Sequence, residues 1–449
     1  MDLQQWLRGS ESERSAWRAS AREEIPGGIV SYGTWIGDAA PEPAAAVTGP
    51  LSGVGFAVKD NIDVAGLPTT AGSPLLNTVA RADAGVVSSL RDAGAVVMGK
   101  TNMHELAFGI TSNNATYGPV RNPFDPQRIA GGSSGGSAVS VATGAVPFAL
   151  GTDTGGSITI PAAFCGVVGF RPTTGRYPGD GLVNLSHSRD TVGIHACTVT
   201  DVALVDAVIT HRATGPAAPP VHLAGLRIGI PTGRLEDLDP EVSRCVRNGL
   251  DALTAAGVAL VEVTVADDLA LGGGPGISLV FYEAARLLRR YLAETDRPEH
   301  PTLDEIAERV ASPDVRALVT SMATRPTSTE DYEQARRARW TLQRSYAQAF
   351  KDSGTEVFAW PTAPVLAPLV GQDDTLAHNG RELAVFPTVT RFTAPGTVAG
   401  QPMVTVPCGT STIGVPVGLC LEGRPRDDER LLAIAAAVQP VLGDAHGML

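Results

Sequence analysis

Gly131-Gly132-Ser133-Ser134-Gly135-Gly136-Ser137 and, further on, Gly151-Thr152-Asp153-Thr154-Gly155-Gly156-Ser157 are the two stretches that decide how this chain is read. Each is a glycine-rich turn that carries serine. Glycine permits positive φ and lets backbone approach other groups closely. Between them, residues 134–145 are small and read as a helix, and Val146 to Leu150 reads as a strand. Strand, glycine turn and helix in alternation predict a layered α/β core around a largely buried sheet. Two such turns, joined by one helix and one strand, can face each other across a pocket. Each would then hold serine hydroxyls beside backbone N–H groups.

The same texture extends in both directions. Upstream, Val54 to Val58 is a short apolar run closed by Lys59-Asp60-Asn61. Residues 83–93 read as a helix and Ala95 to Lys100 as a buried strand. Downstream come a helix at 201–210, a Pro/Ala-rich connector at 213–220 and a strand at 226–231. Val242, Val246, Leu250 and Leu253 recur at helical spacing within 240–256, and 258–265 reads as another strand. Residues 278–351 differ, being charged, helical and poor in glycine, and are expected to cap the α/β core. From Val357 the strand-and-turn texture returns, and a last helix covers about 427–441. The expected organisation is a single domain over 1–449, with a mixed twisted sheet, the cap, and an N-terminal helical segment at 1–24 that reads as a polar surface helix.

Composition excludes some functions. The 449 residues carry a net charge of −12, which argues against nucleic acid and against anionic membrane as partners. The five cysteines are widely spaced without a C-x-x-C pair, so neither a disulfide framework nor a zinc site is expected. The N-terminal stretch has no apolar core of signal-peptide length, and no run approaches about 18 consecutive apolar residues. The expected compartment is the cytoplasm. The expected partner is a small molecule, and the pattern leaves room for a homodimer.

The turns themselves narrow the chemistry. Neither carries the lysine of a P-loop or the G-x-G-x-x-G spacing of a dinucleotide site. Ser157 ends the second turn with the N–H groups of Thr154, Gly155 and Gly156 just before it, an arrangement suited to an acyl-transfer nucleophile. Donors placed there can receive an oxyanion, and loss of one such donor typically costs about 3 kcal/mol of transition-state stabilisation. A serine nucleophile needs a base. The segment His104-Glu105-Leu106-Ala107-Phe108-Gly109 is not H-E-x-x-H, so zinc hydrolysis is excluded, while a histidine triad stays open among eight histidines. Lys59 is the better base. It closes a buried strand, where desolvation disfavours the ammonium and lowers its pKa. No metal or cofactor is called for.

With Val58-Lys59-Asp60-Asn61 upstream, the paired GGSSGGS and GTDTGGS motifs resemble the amidase-signature family. The resemblance runs from about Gly53 to the end of the chain, with 131–175 the most specific part. It implies a layered α/β/α fold and a Ser–cis-Ser–Lys triad made of Ser157, Ser133 on a cis peptide bond, and Lys59. It also implies an oxyanion hole from the N–H groups of Thr154, Gly155, Gly156 and Ser157. The segments 169–183, 186–193, 311–318 and 358–364 are similar to the indoleacetamide and mandelamide hydrolases within that family. The resemblance thus implies hydrolysis of a small, aryl-substituted carboxamide to acid and ammonia through a Ser157 acyl-enzyme. Met103, Phe108, Phe281, Tyr282 and Trp360 are candidates to line the acyl pocket.

One position departs from the family pattern. Thr159 stands where the family has arginine, two residues after the nucleophile and close to Asp153. Either another cation meets Asp153 or the turn is held differently. The departure keeps two alternatives in view: acyl transfer to an amine, and a non-catalytic scaffold of the same fold.

Overall fold

The computed structural model describes residues 2–23, 32–36, 48–212, 220–294 and 301–443. Eleven strands form one mixed sheet: β1 (Trp35–Ile36), β2 (Gly55–Lys59), β3 (Val96–Thr101), β4 (Phe148–Asp153), β5 (Val168–Arg171), β6 (Thr191–Ala196), β7 (Arg227–Pro231), β8 (Ala259–Val263), β9 (Val357–Pro361), β10 (Met403–Thr410) and β11 (Pro416–Glu422). Their order across the sheet is β1-β3-β2-β4-β6-β5-β10-β11-β9-β7-β8. β2 runs parallel to β3 and β4, and β7 runs parallel to β8 and β9. The other neighbouring pairs are antiparallel.

Helices cover both faces, so the central strands are apolar on both sides rather than alternating apolar and polar. Alternation survives as a difference in size. Phe56, Val58, Phe148 and Leu150 face one way, into a core with Val86, Leu90, Val202, Val205, Val246 and Leu432. Ala57 and Ala149 face the other way, against Ala138, Val139 and Val141 of the helix Gly135–Ala142 and Ala162 of the helix Thr159–Cys165. Small residues on this second face bring the first helix down onto the sheet. A Cβ at Gly136 would lie 2.5 Å from the carbonyl oxygens of Asn102 and Thr34. Side chains two apart on a strand share a face, so Lys59 lies on the same side as Ala57, toward the helix that Ser133 and Ser134 precede.

The charged region expected over 278–351 is a set of helices: Gly274–Glu294, Leu303–Arg309, Pro313–Thr324 and Thr329–Ser353. Val280, Ala284, Leu288 and Leu292 form the i, i+4 stripe of the first. They pack with Ile306, Val315, Val319 and Met322 and with Leu106 and Phe108 of the core. A capping box at Thr302/Glu305 and the Ser328 cap on Asp331 N–H begin two of these helices.

Two sequence expectations shift, and a third lies outside the described residues. The strand expected at 146–150 runs instead over Phe148–Asp153. Gly151 is therefore a strand residue, and its glycine serves close packing, since a Cβ there would lie 2.6 Å from Ile158 Cδ1. The N-terminal segment is two helices, Leu3–Arg8 and Glu11–Glu23, and it is not purely a surface element. Leu3 and Trp6 are buried, and Leu3 N–H donates to Asp201. The connector expected at 213–220 falls almost wholly outside the described residues.

Candidate active site

Lys59 is the last residue of β2 and is fully buried. Its Nζ donates to Ser133 Oγ at 2.8 Å, to Thr152 Oγ1 at 2.8 Å and to the Thr152 carbonyl at 3.3 Å. All three acceptors are neutral. Burial therefore pulls the amine down to about 7, against the upward pull of the Asp153 and Asp190 carboxylates. Ser133 is buried and follows a cis Gly132–Ser133 peptide bond. The next residue ties the two glycine turns together, because Ser134 Oγ donates to the Thr152 carbonyl at 3.1 Å.

The second turn is built around Asp153. Its Oδ1 accepts from Gly156 N–H at 2.9 Å and its Oδ2 from Ile158 N–H at 2.7 Å, which folds residues 154–158 around the carboxylate. Gly156 sits at φ 120°, and a Cβ there would lie 2.5 Å from Thr393 Oγ1. Only glycine is comfortable in that conformation and that space. The Gly156 N–H is thus spent inside the turn, which corrects its expected place among the oxyanion donors. The N–H groups of Thr154, Gly155 and Ser157 have no acceptor among the described residues.

The cation beside Asp153 is Arg171, at the end of β5. β6 lies between β5 and β4, and the guanidinium reaches past it. Its Nη1 donates to Asp153 Oδ1 and to the Asp153 carbonyl, both at 2.8 Å, and both side chains are fully buried. Thr159, on the helix Thr159–Cys165, is buried and donates its hydroxyl to the Gly156 carbonyl at 3.3 Å. Of the two routes open from the sequence, another cation meeting Asp153 is the one found. Around this pair, Thr154 Oγ1 donates to Asp190 Oδ1 at 2.7 Å, while Leu185 and Ser186 N–H hold Asp190 Oδ2. Burial pushes the Asp190 carboxyl above its usual range.

Ser157, Thr154 and Gly155 line a cavity of about 590 Å³. Phe108 and Phe281 also line it, with Ile110, Leu185, Val280 and Leu318. Arg189, Asp314, Asp373, Asp374 and Arg391 supply its charged lining. Three of the candidate pocket residues lie elsewhere. Trp360, on β9, is fully buried with the Arg234 guanidinium 4.9 Å from its ring centroid. Tyr282 follows Phe281 by one helical position, about 100° around the axis, and stacks on Tyr332 at 3.9 Å. Met103 is buried in the cluster formed by Leu75, Leu106 and the cap helices.

No histidine lines that cavity among the described residues. His195 is buried on β6, with Nε2 3.0 Å from the Ile158 carbonyl, and burial pulls it down to about 4. His104 lies 2.9 Å from Asp314 through Nε2, while its Nδ1 accepts from Ser112 N–H at 3.2 Å. Both rings have structural partners, so Lys59 remains as the buried amine beside a serine. Sequence reasoning missed Thr152, Asp190 and Arg171. Arg171 was within reach, as the cation of the Gly169-Phe170-Arg171-Pro172 run. Nothing in the sequence ties Asp190 to the turn at 154.

Buried lysine against buried serine, and a serine that ends a glycine turn and lines a cavity, are the candidate reacting groups on a layered α/β frame. The amidase family model matches residues 35–432. An indoleacetamide hydrolase from Rhizobium radiobacter is 39% identical over 397 residues, 88% of this chain and 84% of that protein. A mandelamide hydrolase from Pseudomonas putida is 37% identical over 412 residues, 88% of this chain and 79% of that one. Among solved structures, a crystal structure of an amidase superposes with a TM-score of 0.86 at 32% identity, covering 99% of this chain and 100% of that chain. The chain belongs to the amidase family and is an enzyme acting on carbon–nitrogen amide bonds.

Proposed function

We propose that this enzyme hydrolyses a small aryl-substituted primary carboxamide to the carboxylic acid and ammonia, with Ser157 as nucleophile, Ser133 as proton relay and Lys59 as base. The observation that carries the proposal is the 2.8 Å contact between Lys59 Nζ and Ser133 Oγ, made by a lysine whose other partners are neutral. An amine near pKa 7 is half neutral at neutral pH, so it can take a proton and return it.

In the proposed reaction Ser157 Oγ bonds to the amide carbon while its proton passes through Ser133 to Lys59. The carbonyl oxygen, now negative, is received by the free N–H groups of Thr154, Gly155 and Ser157. The tetrahedral adduct collapses when Lys59, through Ser133, returns the proton to the leaving nitrogen. Ammonia departs and an ester on Ser157 remains. Water then adds to that ester by the same relay, releasing the acid. Asp153 does not touch the reacting atoms. It holds the turn, and Arg171 holds Asp153.

The apolar lining from Phe108, Ile110, Val280, Phe281 and Leu318 favours an aromatic acyl group. Similarity to the indoleacetamide and mandelamide hydrolases supports the same class of substrate. The test combines ammonia release over a panel of aryl, alkyl and amino-acid amides with fluorophosphonate labelling and peptide mapping. The expected result is fastest release from aryl-acetamides and a label on Ser157 that Ser157→Ala abolishes together with turnover. A label mapped to another residue, or turnover surviving in Ser157→Ala, overturns the assignment.

A further inference from the structure

Behind the nucleophile turn, on the far side of Arg171, lies a second cavity of about 610 Å³ that shares no lining residue with the one holding Ser157. Its charged lining is basic throughout: Arg339, Lys351, Arg424 and Arg426, with no carboxylate among the lining residues. In a chain with 47 acidic and 35 basic residues this is an unexpected grouping. None of the four makes an ion pair within the described residues. Arg339 is half-buried and donates Nε to the Val398 carbonyl and Nη2 to the Ser188 carbonyl, both at 2.8 Å. Arg424 donates to the Thr355 carbonyl at 3.0 Å and lies over the Phe350 ring. Every recorded partner of these guanidinium groups is neutral.

Lys351, Arg424 and Arg426 are exposed and Arg339 is the partly buried member; a partly buried cation without a counterion is costly, and an entering anion would offset that cost with charge-assisted hydrogen bonds. Burial already pulls Arg339 below the usual arginine range, and Glu283 is the carboxylate that acts on it most. Glu283 itself is committed to Ser188 and Tyr332. Gln401 also lines the cavity, is 1% exposed, and its Oε1 has no hydrogen-bond partner among the described residues. That oxygen is an acceptor, so it calls for a donor such as water or the P–OH of hydrogen phosphate and not for an anionic oxygen. Phe350 supplies an aromatic wall beside the charges.

We propose that this cavity binds a small oxyanion, a carboxylate or a phosphate, between Arg339, Arg424, Arg426 and Lys351, at a site separate from the catalytic cavity. The site abuts the catalytic turn through one shared connection. Thr174, in its wall, accepts from Arg171 Nη2 at 2.9 Å, and Arg171 holds Asp153.

The test is isothermal titration calorimetry on the full chain in low-salt, oxyanion-free buffer. Inorganic phosphate and phenylacetate serve as separate probes. Saturable binding of at least one probe is expected, weakened at least tenfold in Arg424→Gln/Arg426→Gln and within twofold of wild type in Arg391→Gln, which alters the catalytic cavity. Phosphate as the tighter probe assigns a compact dianion, and phenylacetate assigns an aryl carboxylate. Should the double variant fail to fold by circular dichroism, Lys351→Gln replaces it, because the exposed Lys351 ammonium makes no hydrogen bond or ion pair among the described residues, and a weakening of at least threefold is expected. Three results overturn the proposal: no binding of either probe to wild type, binding unchanged in the folded cavity variants, or loss of binding in Arg391→Gln.

Discussion

Replacing Arg171 by methionine is expected to cost about 3–5 kcal/mol of stability, the range for breaking a fully buried ion pair from one side. The structure supports the full range. Both Arg171 and Asp153 side chains are 0% exposed, so solvent screens neither. The guanidinium also donates to the Asp153 carbonyl, Thr174 Oγ1 and the Arg189 carbonyl. Methionine fills much of the volume but leaves Asp153 charged, with the N–H groups of Gly156 and Ile158 as its remaining close donors. The second change is Asp153→Asn. In Arg171→Met/Asp153→Asn the buried charge is gone, and one of the two N–H donors keeps an acceptor, so the residual cost falls to about 1–2 kcal/mol. Urea unfolding of wild type, both single variants and the double variant, followed by tryptophan fluorescence, measures the cycle. The reasoning requires a coupling of at least about 2 kcal/mol between the two positions. Additive costs, or a loss below about 1 kcal/mol in Arg171→Met, would refute it. Turnover should not return with stability, because asparagine cannot hold both ends of the 154–158 turn.

Three further outcomes are expected. With Lys59 held near 7 by burial, kcat/KM for an aryl-acetamide should rise through a limb centred near pH 7, since only the neutral amine accepts the serine proton. A profile flat from pH 5.5 to 8.5, about 1.5 units either side of that value, would remove Lys59 as base. Phe281→Ala should raise KM for aryl amides about tenfold, through loss of roughly 1.5 kcal/mol of apolar contact. Tyr282→Ala, whose ring stacks on Tyr332 instead, should leave KM within about twofold. Equal effects from both would contradict the cavity assignment. Gly156→Ala should abolish fluorophosphonate labelling at Ser157, because the new Cβ would meet Thr393 Oγ1 at 2.5 Å in a positive-φ conformation; unchanged labelling rates would show that the turn tolerates a side chain.

The sequence announced the fold and the reacting groups unevenly, for physical reasons. Lys59 and Ser157 stood out because a glycine turn and a strand-end lysine are local features, legible over a few residues, whereas Ser133 was singled out by the family resemblance. The cap helices were legible from their charge and their scarcity of glycine. Contacts between distant positions were not. Arg171 meets Asp153 only because β6 inserts between β4 and β5 and places the end of β5 near the turn. Gly156 looked like one more free donor, since the sequence cannot say that the Asp153 side chain curls back to take its N–H. Met103, Tyr282 and Trp360 fall outside the cavity, while Phe108 and Phe281 line it, for a related reason. Phe281 and Tyr282 are neighbours of similar character, and the helix azimuth, invisible in composition, decides which one faces the cavity.

The Arg171 pairing also bears on the proposed base. Asp153 and Asp190 are the two carboxylates that favour the ammonium form of Lys59. Were both fully charged and unpartnered, their pull would oppose the desolvation that makes Lys59 a usable base. Arg171 offsets Asp153 directly, and Arg189 lies close enough to Asp190 to favour its charged form. Each carboxylate can therefore organise backbone, Asp153 the 154–158 turn and Asp190 the 185–186 loop, without imposing its whole charge on the lysine. A cation at position 159 would add to the same balance from the helix side. Because Arg171 already meets Asp153 at two points, a threonine there removes no charge that the turn depends on. Its hydroxyl instead satisfies the Gly156 carbonyl. The departure at Thr159 thus gives no ground for reading the site as decayed.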